Sequence, residues 1–247
     1  MTAQIALITG ANKGIGFETA RILGLDGMIV LVGARSAALG EKAAAALAEE
    51  GIDARFVHLD VTDAVSVQAA ADRIEDELGR LDVLVNNAGI TPTDASDPAS
   101  SPPPSRVSPG LVRAAFETNV LGVVAVTNAM LPLLRRSPAG RIVNVSSSLG
   151  SLTRTTDPSA SPSLPNLLPY NTSKTALNAV TVAYARELAG TPIKVNSVAP
   201  GFCATDLNGH TGTRTPAQGA AVVAGAAVLG GDGPTGAYLS EDGRVPW

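Results

Sequence analysis

The sequence predicts an α/β fold, a single doubly wound domain over residues 1–247 with a parallel sheet of about seven strands. Short β-branched runs alternate with longer alanine-rich stretches, and a glycine-rich turn closes the first run. Of the 247 residues, 45% are hydrophobic, which is long enough for one large buried core and short for two. The runs at 5–9, 28–33, 54–59, 81–86, 141–146 and 193–199 read as buried strands because they are short and largely apolar. Intervening stretches such as 17–25, 40–50 and 64–78 have the length and composition of helices. Parallel strands need such crossovers, so helices should cover both faces of the sheet. Two segments, 91–110 and 152–169, are rich in Pro, Ser, Thr and Asp and read as long loops. They are either walls of a ligand cleft beyond the carboxyl ends of the strands or tolerated insertions.

Composition narrows the partner. Lys and Arg number 18 against 22 Asp and Glu, for a net charge of −4, and the cations are scattered rather than gathered in a stripe. Such a surface offers no footprint for nucleic acid or an anionic membrane, and a small molecule is the expected partner. No apolar run reaches about 18 residues and no charged leader precedes the first strand, so the expectation is a soluble, cytoplasmic protein. The lone cysteine, Cys203, cannot form an intrachain disulfide, in keeping with a reducing compartment. His58 and His210 are far apart and lack clustered carboxylates or cysteines, so no metal site is expected. His58 reads as a packed strand residue. His210, in a Gly- and Thr-rich stretch, is either a substrate contact or ordinary loop polarity.

The first strand ends in Thr9-Gly10-Ala11-Asn12-Lys13-Gly14-Ile15-Gly16, and a helix follows. Glycines at 10, 14 and 16 permit a tight turn and a close approach of backbone to a phosphate, while a helix N-terminus offers free N–H groups to the anion. This is a dinucleotide site, spaced G-x-x-x-G-x-G rather than G-x-G-x-x-G. At the end of the second strand, an acid would accept from a ribose 2′-hydroxyl and repel a 2′-phosphate. Val32-Gly33-Ala34-Arg35-Ser36 has none, and Arg35 and Lys13 bring two cations there. NADP(H) is therefore the expected cofactor.

Tyr170 and Lys174 are four apart, on one face of a helix if the segment is helical. A phenol with an ordinary pKa near 10 becomes a useful acid or base when a fixed cation stabilises its phenolate. Ser146, Ser147 and Ser148 lie upstream at the end of the fifth strand, and a one-residue shift of register would exchange which of them faces the cleft.

Thr9-Gly10-x-x-x-Gly14-Ile15-Gly16, Asn86-Asn87-Ala88-Gly89, Ser147, Tyr170-x-x-x-Lys174 and Pro200-Gly201 stand in the order and spacing of the short-chain dehydrogenase/reductase family, which the chain resembles over nearly its whole length. The passages 10–16, 81–90 and 141–147 and the ending 239–247 look most like NADPH-dependent carbonyl reductases. The resemblance implies a Rossmann domain that reduces an aldehyde or ketone to an alcohol. Tyr170 would protonate the substrate oxygen, Lys174 would lower its pKa and bond the nicotinamide ribose, and Ser147, at the family position, would hold the carbonyl oxygen. Asn119 would hold a water in the proton relay, or serve as a helix-kinking or capping amide.

On the cofactor, Gly10, Asn12, Lys13, Gly14, Ile15 and Gly16 would take the phosphates. Asp60 and Val61 would meet the adenine, although Asp60 could equally cap the next helix. Asn87, Ala88 and Gly89 would pass behind the adenine-side ribose, with Asn86 a structural amide. Pro200, Gly201 and Thr205 would flank the nicotinamide, Thr205 at its carboxamide, and Phe202 and Cys203 could line the substrate pocket. Alternatives are alcohol oxidation in the reverse direction, an epimerase or dehydratase, and a silent NADP(H)-binding regulator. The last would carry a broken tetrad, whereas Asn119, Ser147, Tyr170 and Lys174 all stand. Relatives pair through the helices bearing the asparagine and the tyrosine, but an insertion before the tyrosine can cover that surface, which leaves monomer and homodimer both open.

Overall fold

β1 (Ile5–Thr9) is buried along its whole length, with Ala6 and Ile8 entering one apolar layer and Ile5 and Leu7 the other. That is the alternation of a strand covered on both faces. In the computed structural model, which describes residues 3–93, 102–159 and 165–247, β1 lies inside an eight-stranded sheet. The other strands are β2 (Ile29–Ala34), β3 (Ala54–His58), β4 (Val83–Asn86), β5 (Arg141–Val145), β6 (Lys194–Val198), β7 (Tyr238–Ser240) and β8 (Gly243–Arg244). Their order is β3-β2-β1-β4-β5-β6-β7-β8; the first seven in sequence are parallel and the two-residue β8 returns antiparallel along β7. The chain winds outward from β1 in one direction and from β4 in the other, so a crevice opens at the carboxyl ends of these two neighbours.

The helices are α1 (Gly14–Leu25), α2 (Ala37–Glu49), α3 (Ala64–Leu78), α4 (Pro109–Phe116), α5 (Gly122–Leu134), α6 (Leu152–Thr156), α7 (Leu168–Glu187) and α8 (Pro216–Ala227). α1, α2 and α8 cover one face through Leu23, Leu47 and Val223. α3, α5 and α7 cover the other through Ile74, Met130 and Ala185. A π-helical turn, Glu117–Leu121, joins α4 to α5. The stretch 109–134 is long and apolar enough to cross a membrane by length and composition, yet Val126, Met130, Leu133 and Leu134 pack in the core.

Several expected boundaries move. α1 begins at Gly14 rather than 17, and α2 begins at Ala37 rather than 40, capped by Ser36 Oγ, which accepts from Leu39 N at 3.4 Å. The segments expected as loops lie partly outside the described residues, at 94–101 and 160–164. Their described parts are not loop throughout: α4 starts at Pro109, α6 occupies Leu152–Thr156 behind a Ser151 cap, and α7 starts at Leu168. His58 is exposed rather than packed, because β3 is an edge strand.

Candidate active site

A cleft of about 1190 Å³ lies over the carboxyl ends of the strands, larger than the ~300–1,000 Å³ of ordinary small-ligand pockets. It has room for two ligands side by side. On its nucleotide side, Thr9 Oγ1 accepts from the backbone N–H groups of Asn87 and Ala88 at 3.0 and 2.9 Å, tying β1 to β4 at the crevice. Asn87 Nδ2 donates to the Thr9 and Gly10 carbonyls at 2.8 and 3.2 Å. Gly10 has φ +64°, a conformation that favours glycine, and a Cβ on Gly16 would lie 2.4 Å from Asn87 Nδ2 and 2.7 Å from the Gly10 carbonyl oxygen. At its glycines the turn thus brings backbone close to the cleft wall.

α1 also starts without a side-chain cap, as α5 and α7 do. Side chains cap α2, α3, α4, α6 and α8, through Ser36, Asp63, Ser108, Ser151 and Thr215. The N-cap of α1, Lys13, supplies no side-chain acceptor, and Gly14, Ile15 and Gly16 line the cleft. First-turn N–H groups without a side-chain acceptor, facing a wide cleft, fit a phosphate. Asn12, Asp60, Val61, Asn87, Ala88 and Gly89 line the same side. Asp60 folds back on Thr62, accepting from its N–H and hydroxyl at 2.9 and 2.7 Å, and the first of these bonds holds its carboxyl below the usual range. It does not cap α3; Asp63 does, which removes that alternative. Arg35 is exposed at the rim beside Asp60. Lys13 reaches across the cleft to Asp206, Nζ to Oδ2 at 2.6 Å, so its charge already has a carboxylate partner 193 residues away.

On the opposite side β5 delivers the three serines. Ser146 is buried and donates to Asn178 Oδ1 at 2.7 Å, and Ser148 opens a 3-10 turn. Ser147, between them, lines the cleft together with Tyr170, close enough that its hydroxyl draws the phenol's pKa downward. All three serines line the cleft, with Ser146 engaged by Asn178 and Ser147 the one that acts on the Tyr170 phenol. Tyr170 sits in the first turn of α7, half-buried, and Lys174 one turn on is 4% exposed. Its Nζ donates to the Val145 carbonyl at 2.7 Å and lies 5.6 Å from the centroid of the Tyr170 ring. Burial pushes the phenol above its ordinary range, against the opposing pull of the Ser147 hydroxyl, and burial lowers the Lys174 ammonium to about 8. The resemblance implies a phenol lowered by Lys174; here desolvation is the largest influence on Tyr170 and the Ser147 hydroxyl the opposing one.

Asn119 is 1% exposed in the π turn, behind the cleft rather than on it. Its Oδ1 accepts from Ile90 N–H at 2.9 Å, and its Nδ2 donates to the Ile90 carbonyl and to Ser173 Oγ at 2.9 and 3.0 Å. The amide therefore latches the segment following Gly89 to α7. Asn86 is structural, donating to Thr127 and Asn144 side chains within the core. Pro200, Gly201 and Thr205 line the cleft between its two sides, with Phe202 54% exposed and Cys203 buried in the wall.

Sequence reasoning missed Asp206, which pairs with Lys13 and with His210 Nε2 at 2.7 Å, and it missed Ile90, Leu149, Leu167 and Leu207 in the lining. Asp206 had no local signal, since its partner is remote in sequence. Among the described residues no cluster of three His, Cys, Asp or Glu side chains could hold a metal.

The family model for the short chain dehydrogenase matches residues 4–215. A short-chain dehydrogenase, anuI, of Penicillium roqueforti is 38% identical over 237 residues, covering 93% of this chain and 90% of that one. Carbonyl reductase (NADPH) 1 of Sus scrofa is 32% identical, covering 99% and 94%. The solved structure of salutaridine reductase from Papaver somniferum superposes with a TM-score of 0.82 at 30% identity, over 96% of this chain and 99% of that one. The chain belongs to the short-chain dehydrogenase/reductase family of oxidoreductases.

Proposed function

We propose that residues 1–247 form one dinucleotide-binding and catalytic domain that reduces an uncharged, largely apolar aldehyde or ketone to an alcohol with NADPH. The observation that carries this reading is the gathering of Ser147, Tyr170 and Lys174 in the cleft lining, with Lys174 Nζ 5.6 Å from the centroid of the Tyr170 ring and the phenol kept protonated by burial. When bound, NADPH supplies the hydride to the carbonyl carbon. Tyr170 gives its proton to the carbonyl oxygen, which Ser147 holds by its hydroxyl. The Lys174 ammonium, beside the ring, steadies the phenolate that remains. Asn119 keeps Ile90 and Ser173 in register around the lysine.

Gly10, Gly14 and Gly16 with the open start of α1 would hold the phosphates, and Pro200, Gly201 and Thr205 the nicotinamide end. Exposed Arg35, with no acid at the end of β2, favours a 2′-phosphate, as does the likeness to an NADPH carbonyl reductase. Leu149, Leu167 and the exposed Phe202 line the cleft that holds Tyr170 and support an apolar substrate. The single, buried Cys203 is in keeping with a reducing, cytoplasmic setting.

The test is a panel of aldehydes, ketones and quinones, followed by loss of NADPH absorbance. Tyr170→Phe should lower kcat/KM by about 10²–10⁴-fold while NADPH binding, read by fluorescence titration, stays intact. Full activity in that variant would overturn the reading.

A further inference from the structure

The Ser147 main chain is gripped from outside its own turn. β5 ends at Val145, and Ser147, with φ −157° and ψ 144°, leads directly into the single 3-10 turn Ser148–Gly150. Its carbonyl oxygen accepts from Gly150 N–H at 2.7 Å and also from the hydroxyl of Tyr238, at the start of β7. Tyr238 is 1% exposed, and its ring stacks on Trp247 with centroids 5.3 Å apart and planes within 19°. Segment 245–247 is then tied down along 151–153: Ser151 Oγ donates to the Pro246 carbonyl at 2.6 Å, and Thr153 donates to the Trp247 main-chain oxygen from its N–H at 3.0 Å and its hydroxyl at 2.6 Å. Neither Tyr238 nor Trp247 lines the cleft.

We infer that Tyr238 and Trp247 are positioning residues for Ser147: the stack fixes the phenol, the phenol fixes the Ser147 carbonyl, and the serine hydroxyl is thereby aimed at Tyr170. This rests on the reading of Ser147 as the group that holds the substrate oxygen. Local turn geometry alone cannot set that aim, because Ser147 has left the ladder and Ser147 Oγ otherwise only accepts from Leu149 N–H at 3.3 Å. Burial raises the Tyr238 hydroxyl to about 12, so it remains a donor throughout the working pH range. Misplacement of a reacting group by about 1 Å can cost on the order of 10²-fold in rate, so a partial release of Ser147 should be visible in kcat.

The test separates hydroxyl from ring. Tyr238→Phe keeps the stack and removes the bond; Trp247→Ala removes the stack; Trp247→Phe restores an aromatic partner. Because Trp247 is the chain's single tryptophan, its emission reports without a label whether the stack survives in Tyr238→Phe. Carbonyl reduction should lose roughly tenfold in kcat in Tyr238→Phe and Trp247→Ala and recover in Trp247→Phe, with KM for NADPH within about twofold of wild type. Wild-type kcat in Tyr238→Phe overturns the inference, and so does a loss carried equally by NADPH KM, the mark of general loosening. Should Tyr238→Phe fail to fold, Trp247→Ala, at a site 40% exposed, carries the same test. A wild-type chain that turns over no carbonyl compound refutes the reductase reading instead. The positioning is then measured by deuterium exchange of peptide 146–153, faster in Tyr238→Phe if the tie exists and unchanged if it does not.

Discussion

Along the β1–α1 side of the cleft the chain presents backbone, and along the β5–α7 side it presents side chains. The first side is made by Gly10, Gly14 and Gly16 and by the uncapped start of α1, so its geometry follows from a turn and a helix that are local in sequence. The second is made by Ser147, Tyr170 and Lys174, where Lys174 is tied to Val145 and Ser147 to Tyr238. A backbone surface can bind a group common to many ligands, such as a phosphate. A side-chain surface can time a proton. The two sides should therefore fail differently when altered.

The largest break is on the backbone side. Gly16→Ala places a methyl 2.4 Å from Asn87 Nδ2 and 2.7 Å from the Gly10 carbonyl oxygen. Asn87 cannot swing away without losing its bonds to the Thr9 and Gly10 carbonyls. Overpacking of this kind costs about 1–3 kcal/mol of stability, and here it also moves the phosphate turn. Urea denaturation should report the loss, and NADPH KM should rise together with it. A variant as stable as wild type and with unchanged KM would show that the close packing is not needed.

A smaller change tests what side chains add to that side. Arg35→Asp exchanges the exposed cation for an acid at the end of β2, and the ratio of kcat/KM for NADPH over NADH should fall by about 10- to 100-fold, the worth of a charge-assisted hydrogen bond. Lys13 should not compensate fully, since Asp206 already engages it. An unchanged ratio would assign the 2′-phosphate to another group.

The same division explains what could be read in the sequence. The run 64–78 is helix α3 to the residue, and β1 and the phosphate turn lie where the local pattern puts them, because apolar periodicity and glycine spacing are local. β7 and β8 have three and two residues, too short to announce themselves, and they exist because β6 offers an edge. Segment 152–169 reads as loop from its Pro, Ser and Thr, yet Thr153 finds its partner 94 residues away in Trp247 and a turn of helix forms there. Ser146 is engaged by Asn178 and Ser147 acts on the Tyr170 phenol, and neither partner is nearby in the chain, so no local pattern could rank the three serines. The sign of the Tyr170 shift follows burial, which no motif encodes.

The gentlest probe is pH. Burial lowers Lys174 from 10.5 to about 8, while the same cause raises the Tyr170 phenol above its ordinary 10.0, so on raising the pH the lysine loses its proton first. Below about 8 the ammonium is present and can stabilise the phenolate formed as Tyr170 gives up its proton; above it the charge is lost and reduction slows. The profile of kcat/KM for the carbonyl compound should be level up to the neighbourhood of pH 8, half its plateau there, and fall about tenfold per unit beyond. The backbone N–H groups of the other side do not titrate, so NADPH KM between pH 7 and 9 should vary by less than about twofold. A rate that stays level to pH 9.5 would detach Lys174 from the proton transfer, and a cofactor KM that climbs with the same midpoint would place the ammonium's main contribution in binding.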